Sequence, residues 1–371
     1  MKLTAKVKLE TNPLPFAALK ETLVRANAAC NWLSDLAWEQ KTFQKFALQK
    51  IAYHPVKQKF GLTAQVVIRC IGKVADAYRL DKLTKRTFRP DGAICFDDRI
   101  LKWHLDKQLV NIWTTSGRLK VPFVAGERQL ALLTKRQGES DLLFQNGVFY
   151  LAATCNVEEP DPVDVTEFLG VDLGIAEIAS TSDGKHYSGK AVKAVRHRHR
   201  RLRRKLQKKQ TRAAKRRLKK LAGKECRFAK YTNHVISKQI VEEARRTKRA
   251  VVLEDLKNIR LRIRARRPQR AVLHSWAFAQ LGAFIAYKAV LAGVTVIFVD
   301  PRNTSRECSA CGHIDKRNRP NQSTFRCLAC GHAGNADLNA ASVIAGRGAV
   351  IRPNVASCAA VSHGLVTSPR L

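Results

Sequence analysis

Two Cys-x2-Cys knuckles, Cys308/Cys311 and Cys327/Cys330, stand fifteen residues apart towards the C-terminal end of the sequence. Each is followed by a glycine, Gly312 and Gly331, which lets the backbone turn tightly enough for amides to face the sulfurs. Four thiolates from two such hairpins complete a tetrahedral shell around one Zn2+ and leave no position for water. The spacing therefore predicts a structural zinc ribbon over residues 304–332. Two disulfides are the competing use of four cysteines. The other six (Cys30, Cys70, Cys95, Cys155, Cys226 and Cys358) show no paired spacing, which suits a reducing compartment and favours the metal. His313 and His332 follow the knuckles, but four thiolates already fill the shell, so both read as bystanders. Directly after the ribbon, Asp337 opens an apolar run (Leu338, Ala340, Ala341, Val343, Ile344) with helical spacing.

Charge restricts the partner. The chain of 371 residues carries 68 Lys and Arg against 30 Asp and Glu, a formal net charge of +38. Repulsion on that scale opposes compaction unless a polyanion relieves it, and DNA or folded RNA would release counterions on binding. A membrane surface fits less well, because no basic amphipathic helix with a Trp/Phe face stands out. No run of eighteen apolar residues predicts a membrane span. The opening MKLTAKVKLETN alternates like a strand and lacks the apolar core of a signal peptide. A cytoplasmic protein with a nucleic-acid partner is expected, with two or three domains.

Residues 1–12 read as a strand. Apolar positions at Phe16, Leu19, Leu23, Ala26, Cys30, Leu33 and Ala37 predict a helix, and Val67, Ile71, Val74 and Tyr78 predict another over about 63–80. From Arg86 to Val157 the period drops to two, broken at Pro90-Asp91-Gly92, Ser116-Gly117 and Asn146-Gly147, which predicts short antiparallel strands. The first strand is expected to join them. Residues 1–12 and 85–160 then form one β unit, with 13–84 as a helical insertion, and Glu158 to Pro162 as a linker.

A different domain begins near Phe168. The segment FLGVDLGIAEIASTSDGKHYSG gives an apolar strand carrying Asp172, a second strand, and a turn at Asp183-Gly184. Lys190 to Lys224 contains no acid and only a thin apolar seam (Val195, Leu202, Leu206, Ala213, Leu218, Leu221), read as a helix. Like charges four residues apart destabilise a bare helix. Phosphate is the expected relief, with Arg198, Arg201, Arg204, Lys205, Lys208 and Arg212 as the contacts. A helix over about 227–246 follows, then the strand RAVVLEDL, which ends at Glu254. A basic loop over 258–270, an amphipathic stretch from His274 to Leu291 and a third central strand, VTVIFVDP (294–301), lead into the ribbon. Beyond Gly346 no period persists, and residues 347–371 are expected to form a loose tail.

An acid inside a buried strand costs several kcal/mol unless it is paired or binds a metal, which makes Asp172 a functional candidate. Asp172, Glu254 and Asp337 stand on three separate elements. Strand–hairpin–helix–strand–helix–strand with acids at these places is the pattern of a ribonuclease-H-like α/β domain. Brought together, such carboxylates can hold two Mg2+ or Mn2+ ions roughly 3.5–4 Å apart, and hard oxygen ligands suit those ions. GVDLG (170–174) is also similar to a phosphate loop of actin-like ATPases. However, no second glycine-rich phosphate loop follows, and no Ser/His/Asp or Cys/His arrangement offers another chemistry.

The set GVDLG (170–174), VVLEDL (251–256), VDPRNTSRECSACG (299–312), CLACGH (327–332) and NADLNAA (335–341) resembles TnpB, the OrfB protein of insertion sequences, a family related to the compact type V CRISPR effector nucleases. The resemblance implies an RNA-guided DNA endonuclease. Asp172, Glu254 and Asp337 would be its RuvC catalytic acids with Mg2+ or Mn2+, Cys308, Cys311, Cys327 and Cys330 its zinc ligands, and guide RNA and double-stranded target DNA its partners. It further implies an α/β plus β fold. A β-barrel wedge (WED) domain, 1–12 with 85–160, would carry a helical REC insertion, 13–84. A RuvC domain, 166–303 with 333–346, would carry the zinc ribbon, 304–332, and 347–371 would remain a tail. Position 336, often charged in the family, is Ala336 here, a departure that touches no ligand. A nuclease-inactive guided repressor would be expected to lack one of the acids, and all three are present. A strand-joining transposase would need a different set of groups, and a transposition accessory role is the remaining alternative. Monomer and dimer both stay open.

Overall fold

The alternating start of the chain forms β1 (Lys2–Leu9), whose Ala5, Val7 and Leu9 point into a core. A computed structural model describes residues 1–161, 165, 167–256 and 278–351, in two units divided after Glu158. In the first unit β1 is followed by three helices, α1 (Pro13–Glu39), α2 (Lys45–Phe60) and α3 (Ala64–Leu80). Six further strands follow: β2 (Ile94–Phe96), β3 (Leu101–His104), β4 (Leu109–Thr114), β5 (Gly117–Val124), β6 (Arg136–Gln145) and β7 (Val148–Asn156), with a short α4 (Glu127–Leu133) between β5 and β6. The seven strands form one sheet in the order β2-β6-β7-β1-β5-β4-β3. β1 is thus central, antiparallel to β7 from Lys2↔Asn156 to Lys8↔Tyr150 and to β5 on its other side. The helices are an insertion between β1 and β2.

The two edge strands, β2 and β3, are joined by residues 97–100 alone, with a turn closed by the Ile100 N–H on the Asp97 carbonyl. A sheet whose first and last strands are linked so briefly must curl on itself, and the result is a nearly closed antiparallel barrel. Asn146 and Gly147, both at positive φ, form the tight turn that joins β6 to β7. The helix α2 has no counterpart in the sequence reading. It buries Leu48, Ala52 and Val56, leaves Phe46 and Ile51 exposed, and contains Pro55, so its apolar seam is too thin to register as a period.

The second unit is built on a five-stranded sheet in the order β10-β9-β8-β11-β12: β8 (Glu167–Asp172), β9 (Glu177–Thr181), β10 (His186–Ser188), β11 (Arg249–Glu254) and β12 (Val296–Val299). β8, β9 and β10 form an antiparallel meander, while β8, β11 and β12 run parallel. Between β10 and β11 lie α5 (Lys190–Lys209) and α6 (Arg212–Arg246), and α7 (Phe278–Leu291) precedes β12. Ile236, Ile240 and Ala244 of α6 and Leu281, Ile285 and Ala289 of α7 bury one face of the sheet with Leu169, Val171 and Leu253. The basic segment is not one helix ending near Lys224. It breaks at Gln210, at φ +49, and restarts where the Thr211 hydroxyl accepts the Ala214 N–H. That N-cap then opens a single helix running to Arg246.

The opposite face is covered by α8 (Ala336–Ile351). A Cβ on Gly170 would lie 2.0 Å from the Ala341 carbonyl oxygen, and one on Gly348 would lie 2.4 Å from a Val252 methyl. Helix and sheet therefore meet at glycines on both sides. This packing carries the helix to Ile351, past the start of the expected tail at residue 347. The expected basic loop (258–270), residues 274–277 of the amphipathic stretch and positions 352–371 lie outside the described residues. Among those described, no helix is long and apolar enough to cross a membrane.

Substituting Gly170→Ala is expected to destabilise the protein by about 3 kcal/mol, the cost of overpacking a backbone contact. Gly282→Ala, where a Cβ meets no atom within 4 Å, should hold or slightly raise the melting temperature because Ala is the better helix former. Thermal denaturation of the two variants checks the contrast.

Candidate nuclease and metal centres

Asp172 is the last residue of β8 and Glu254 the last of β11. These strands are parallel neighbours with Val252 beside Gly170 and Leu253 beside Val171, so continuing the register sets Glu254 beside Asp172. Gly170 and Val252, two residues earlier on each strand, both abut α8. Because side chains alternate along a strand, Asp172 and Glu254 face that same helix. Asp337 stands in the first turn of α8. The start of α8 is fixed by the Asn335 side chain, which accepts the N–H groups of Asp337 (2.9 Å) and Leu338 (3.1 Å). An acid in a first helical turn also meets the positive end of the helix dipole.

The structure therefore brings the three sequence-selected acids to one place. Burial pushes the Asp172 carboxyl up to about 7, and the negative charges of Glu254 and Asp337 push the same way, while the Arg319 guanidinium opposes them. Burial also raises Glu254, against a hydrogen bond from Thr304. Asp172, Asp337, Arg319 and Gln322 line one pocket with the loop Leu173–Ala176. Arg319 is a residue that the sequence reading missed. Its guanidinium donates to Asp337 at 2.9 Å and to the Gln322 carbonyl at 2.6 Å. The three carboxylates do not gather their oxygens as closely as a single-ion cage requires. Among the described residues, only the four cysteines form such a group. Asp172 and Asp337 in the pocket, with Glu254 close enough to Asp172 for its charge to act there, supply hard oxygen donors of the kind that hold one or two divalent ions with water completing the shell.

The ribbon begins after β12 and contains β13 (Thr324–Arg326) and β14 (Ala333–Asn335), paired antiparallel. Gly312 and Gly331 turn at φ +75 and +74. The two knuckles share one hydrogen-bond pattern: Cys308 N–H to the His313 carbonyl and Gly312 N–H to that of Cys308, then Cys327 N–H to the His332 carbonyl and Gly331 N–H to that of Cys327. The histidines contribute backbone to this pattern, and neither side chain belongs to the ligand group. All four sulfurs lie within 4.8 Å of one another, with Cys308–Cys330 at 3.7 Å and Cys311–Cys327 at 3.6 Å. Four sulfurs at metal–sulfur distances of about 2.3 Å in a tetrahedron stand about 3.8 Å apart, so the residues fit a tetrahedral metal. The separations are far outside disulfide bonding. The amides of Cys330 and Ala329 help bring Cys327 down to about 6, while, against the His313 amide, hydrogen bonds shared with the other cysteines push Cys311 up to about 12. Ala336 is buried beside Phe325, Cys308 and Cys327, which accounts for a small apolar residue at that position.

Residues 152–260 match the family described as "Probable transposase" (OrfB_IS605), and residues 278–344 match the family described as "Cas12f1-like, TNB domain". The chain is 40% identical over 129 residues to the CRISPR-associated endodeoxyribonuclease Cas12f1 of Sulfoacidibacillus thermotolerans, covering 34% of this chain and 29% of that protein. It is 27% identical over 222 residues to InsQ of Escherichia coli, named as a candidate RNA-guided DNA endonuclease, covering 54% of each. Over residues 152–344 the chain is thus similar to TnpB (OrfB)-type and Cas12f-type proteins. It spans about half or less of the length of these curated relatives. Its fold is similar to a solved Cas12f1–sgRNA–target DNA complex, with a TM-score of 0.59 at 15% identity, covering 88% of this chain and 82% of that one. The TnpB-type motif acids and cysteines thus occupy two distinct centres, one of carboxylates and one of thiols.

The basic residues chosen for phosphate contact are all exposed: Arg198, Arg201, Arg204, Lys205 and Lys208 on α5 and Arg212 at the start of α6. Glu225 on α6 ties the two helices together, accepting from Arg203 at 2.9 Å and lying 3.4 Å from His199. That acid follows the acid-free segment by one residue and was not weighed in the sequence.

An acid whose folded pKa is raised costs stability as pH climbs past its unfolded value near 4, and the full cost is present above the folded value. For Asp172 that window runs from about 4 to about 7. Asp172→Asn is therefore expected to raise the melting temperature of the divalent-ion-free protein at pH 8 by at least about 3 °C, with the gain vanishing at pH 4. A gain equal at both pH values would show that burial of the charge is not its cause.

Proposed function

We propose that this chain is an RNA-guided DNA endonuclease that cuts phosphodiesters at a guide-complementary site beside a short adjacent motif. The observation that carries the reading is the convergence of Asp172, Glu254 and Asp337 from the ends of two parallel strands and the start of one helix. An antiparallel meander continued by parallel strands, with helices on both faces, supports an RNase-H-like (RuvC) domain formed by 166–303 and 333–346. The four-sulfur group suits a structural Zn2+ in 304–332. The barrel is read as the wedge domain and the inserted helices as REC.

Asp172, Glu254 and Asp337 would hold Mg2+ or Mn2+. Such ions supply activation of the attacking water and stabilisation of the leaving 3′ oxygen. With Asp172 near 7 in their absence, its carboxyl retains a proton for much of the time at neutral pH and would have to give it up to hold a cation. Arg319 pairs with Asp337, and its planar guanidinium stands in the same pocket, where it could meet a phosphate. The exposed cations of α5 and α6 would hold nucleic-acid backbone without reading bases, since pairing between guide and target supplies sequence. A nuclease-inactive repressor would have no use for an acid trio whose burial is costly.

The test is to purify the protein with its bound RNA, identify that RNA, and offer a matched DNA duplex with Mg2+. Asp172→Ala is expected to lower cleavage by roughly a thousandfold or more, about 4 kcal/mol of transition-state stabilisation, while target binding by gel shift stays near the parent's. Undiminished cutting by Asp172→Ala would remove the catalytic assignment.

A further inference from the structure

Thr304 stands at the root of the ribbon, just beyond β12, with its Oγ1 between two acceptors: Glu254 Oε1 at 2.5 Å and the Pro301 carbonyl at 3.1 Å. A hydroxyl carries one proton. The shorter contact has the length of a charge-assisted O–H···O⁻ bond, so Thr304 donates to Glu254. The residue is buried, 4% exposed, and its backbone is fixed, because the N–H groups of Arg306 and Glu307 both bond to the carbonyl of Asn303, itself at φ +64.

The same segment is bonded to α8. Asn339, buried two residues beyond Asp337, accepts from the Ser309 N–H at 3.0 Å and hydroxyl at 2.9 Å, and donates to the Glu307 carbonyl at 2.7 Å. Arg347, further along the helix, donates to the Asp300 carbonyl at 2.6 Å and pairs with the Glu307 carboxylate. Residues 300–309 are thus tied on one side to the end of β11 and on the other to the helix that carries Asp337. Thr304 constrains the Glu254 rotamer by engaging Oε1.

We propose that Thr304 is a positioning residue for Glu254, and that the ribbon root, through Thr304 and Asn339, is the brace that sets the separation of Glu254 from Asp337. The inference rests on the reading of Glu254 as an ion ligand. It gives the metal-stapled ribbon a task inside the carboxylate centre. Groups that orient a ligand in this way typically contribute 10- to 100-fold in metal affinity.

The test is a Mn2+ titration of the full-length protein with its co-purifying RNA, with free Mn2+ followed by EPR, for the parent, Thr304→Val, Thr304→Ser and Glu254→Gln. Zinc content of each sample reports the integrity of the ribbon, and Thr304→Ala replaces Thr304→Val if the latter loses zinc. The expected result is about tenfold weaker Mn2+ binding in Thr304→Val and near-parent binding in Thr304→Ser. The cleavage defect of Thr304→Val should shrink as Mn2+ is raised. Parent-like binding by Thr304→Val beside a weakened Glu254→Gln would overturn the positioning role alone, as would equal loss in Thr304→Val and Thr304→Ser. Parent-like binding by Glu254→Gln would instead overturn the ligand reading beneath it.

Discussion

Burial of like-charged carboxylates is the constraint to which the second unit is built. Two neighbouring parallel strands end in acids on one face, and the helix covering that face begins with a third. Gathering such charges out of water is unfavourable, and the cost appears at Asp172, held up to about 7 by burial and by its two neighbours. Two features of the chain reduce it: the helix dipole at Asp337 and the Arg319 guanidinium. Neither is sufficient to bring Asp172 back to an ordinary value. A fold that maintains this opposition has a place ready for positive charge.

The convergence depends on how closely α8 lies on the sheet. Gly170 and Gly348 remove the side chains that would hold helix and strands apart, and the approach places the first turn of α8 over the strand ends. The ribbon lies between β12 and α8 in sequence, so its path starts beside Glu254 and finishes at Asp337. Its cysteine shell fixes that path, while Thr304, Ser309 and Asn339 fasten the path to both sides. A small four-cysteine module without a large apolar core thereby joins the elements that carry the carboxylates.

The parts of this arrangement legible in the sequence were those written as local pattern. Paired cysteines at fixed spacing with a following glycine specify the knuckles, and an acid in an apolar strand is conspicuous at Asp172 and Glu254. Alternation over residues 1–12 was enough to join the first strand to a β unit far along the chain. Arg319 was not legible, because one arginine among 68 basic residues carries no mark until its partner is seen. Thr304 and Asn339 make contacts between elements, and no periodicity reports those. The break at Gln210 and Thr211 had a signal, an N-capping threonine, which the density of charge around it obscured. The end of α8 was misplaced because glycine ordinarily argues against helix, whereas here Gly348 is required by Val252.

Three acids far apart in the sequence are proposed to form one divalent-ion centre. Anomalous diffraction from crystals of the RNA-bound protein with DNA and Mn2+ tests it most directly. The expected result is two Mn2+ peaks roughly 3.5–4 Å apart, held by Asp172, Glu254 and Asp337, with Arg319 released from Asp337. Carboxylates that stay apart without bound manganese, with the Arg319–Asp337 pair intact beside bound DNA, would contradict it.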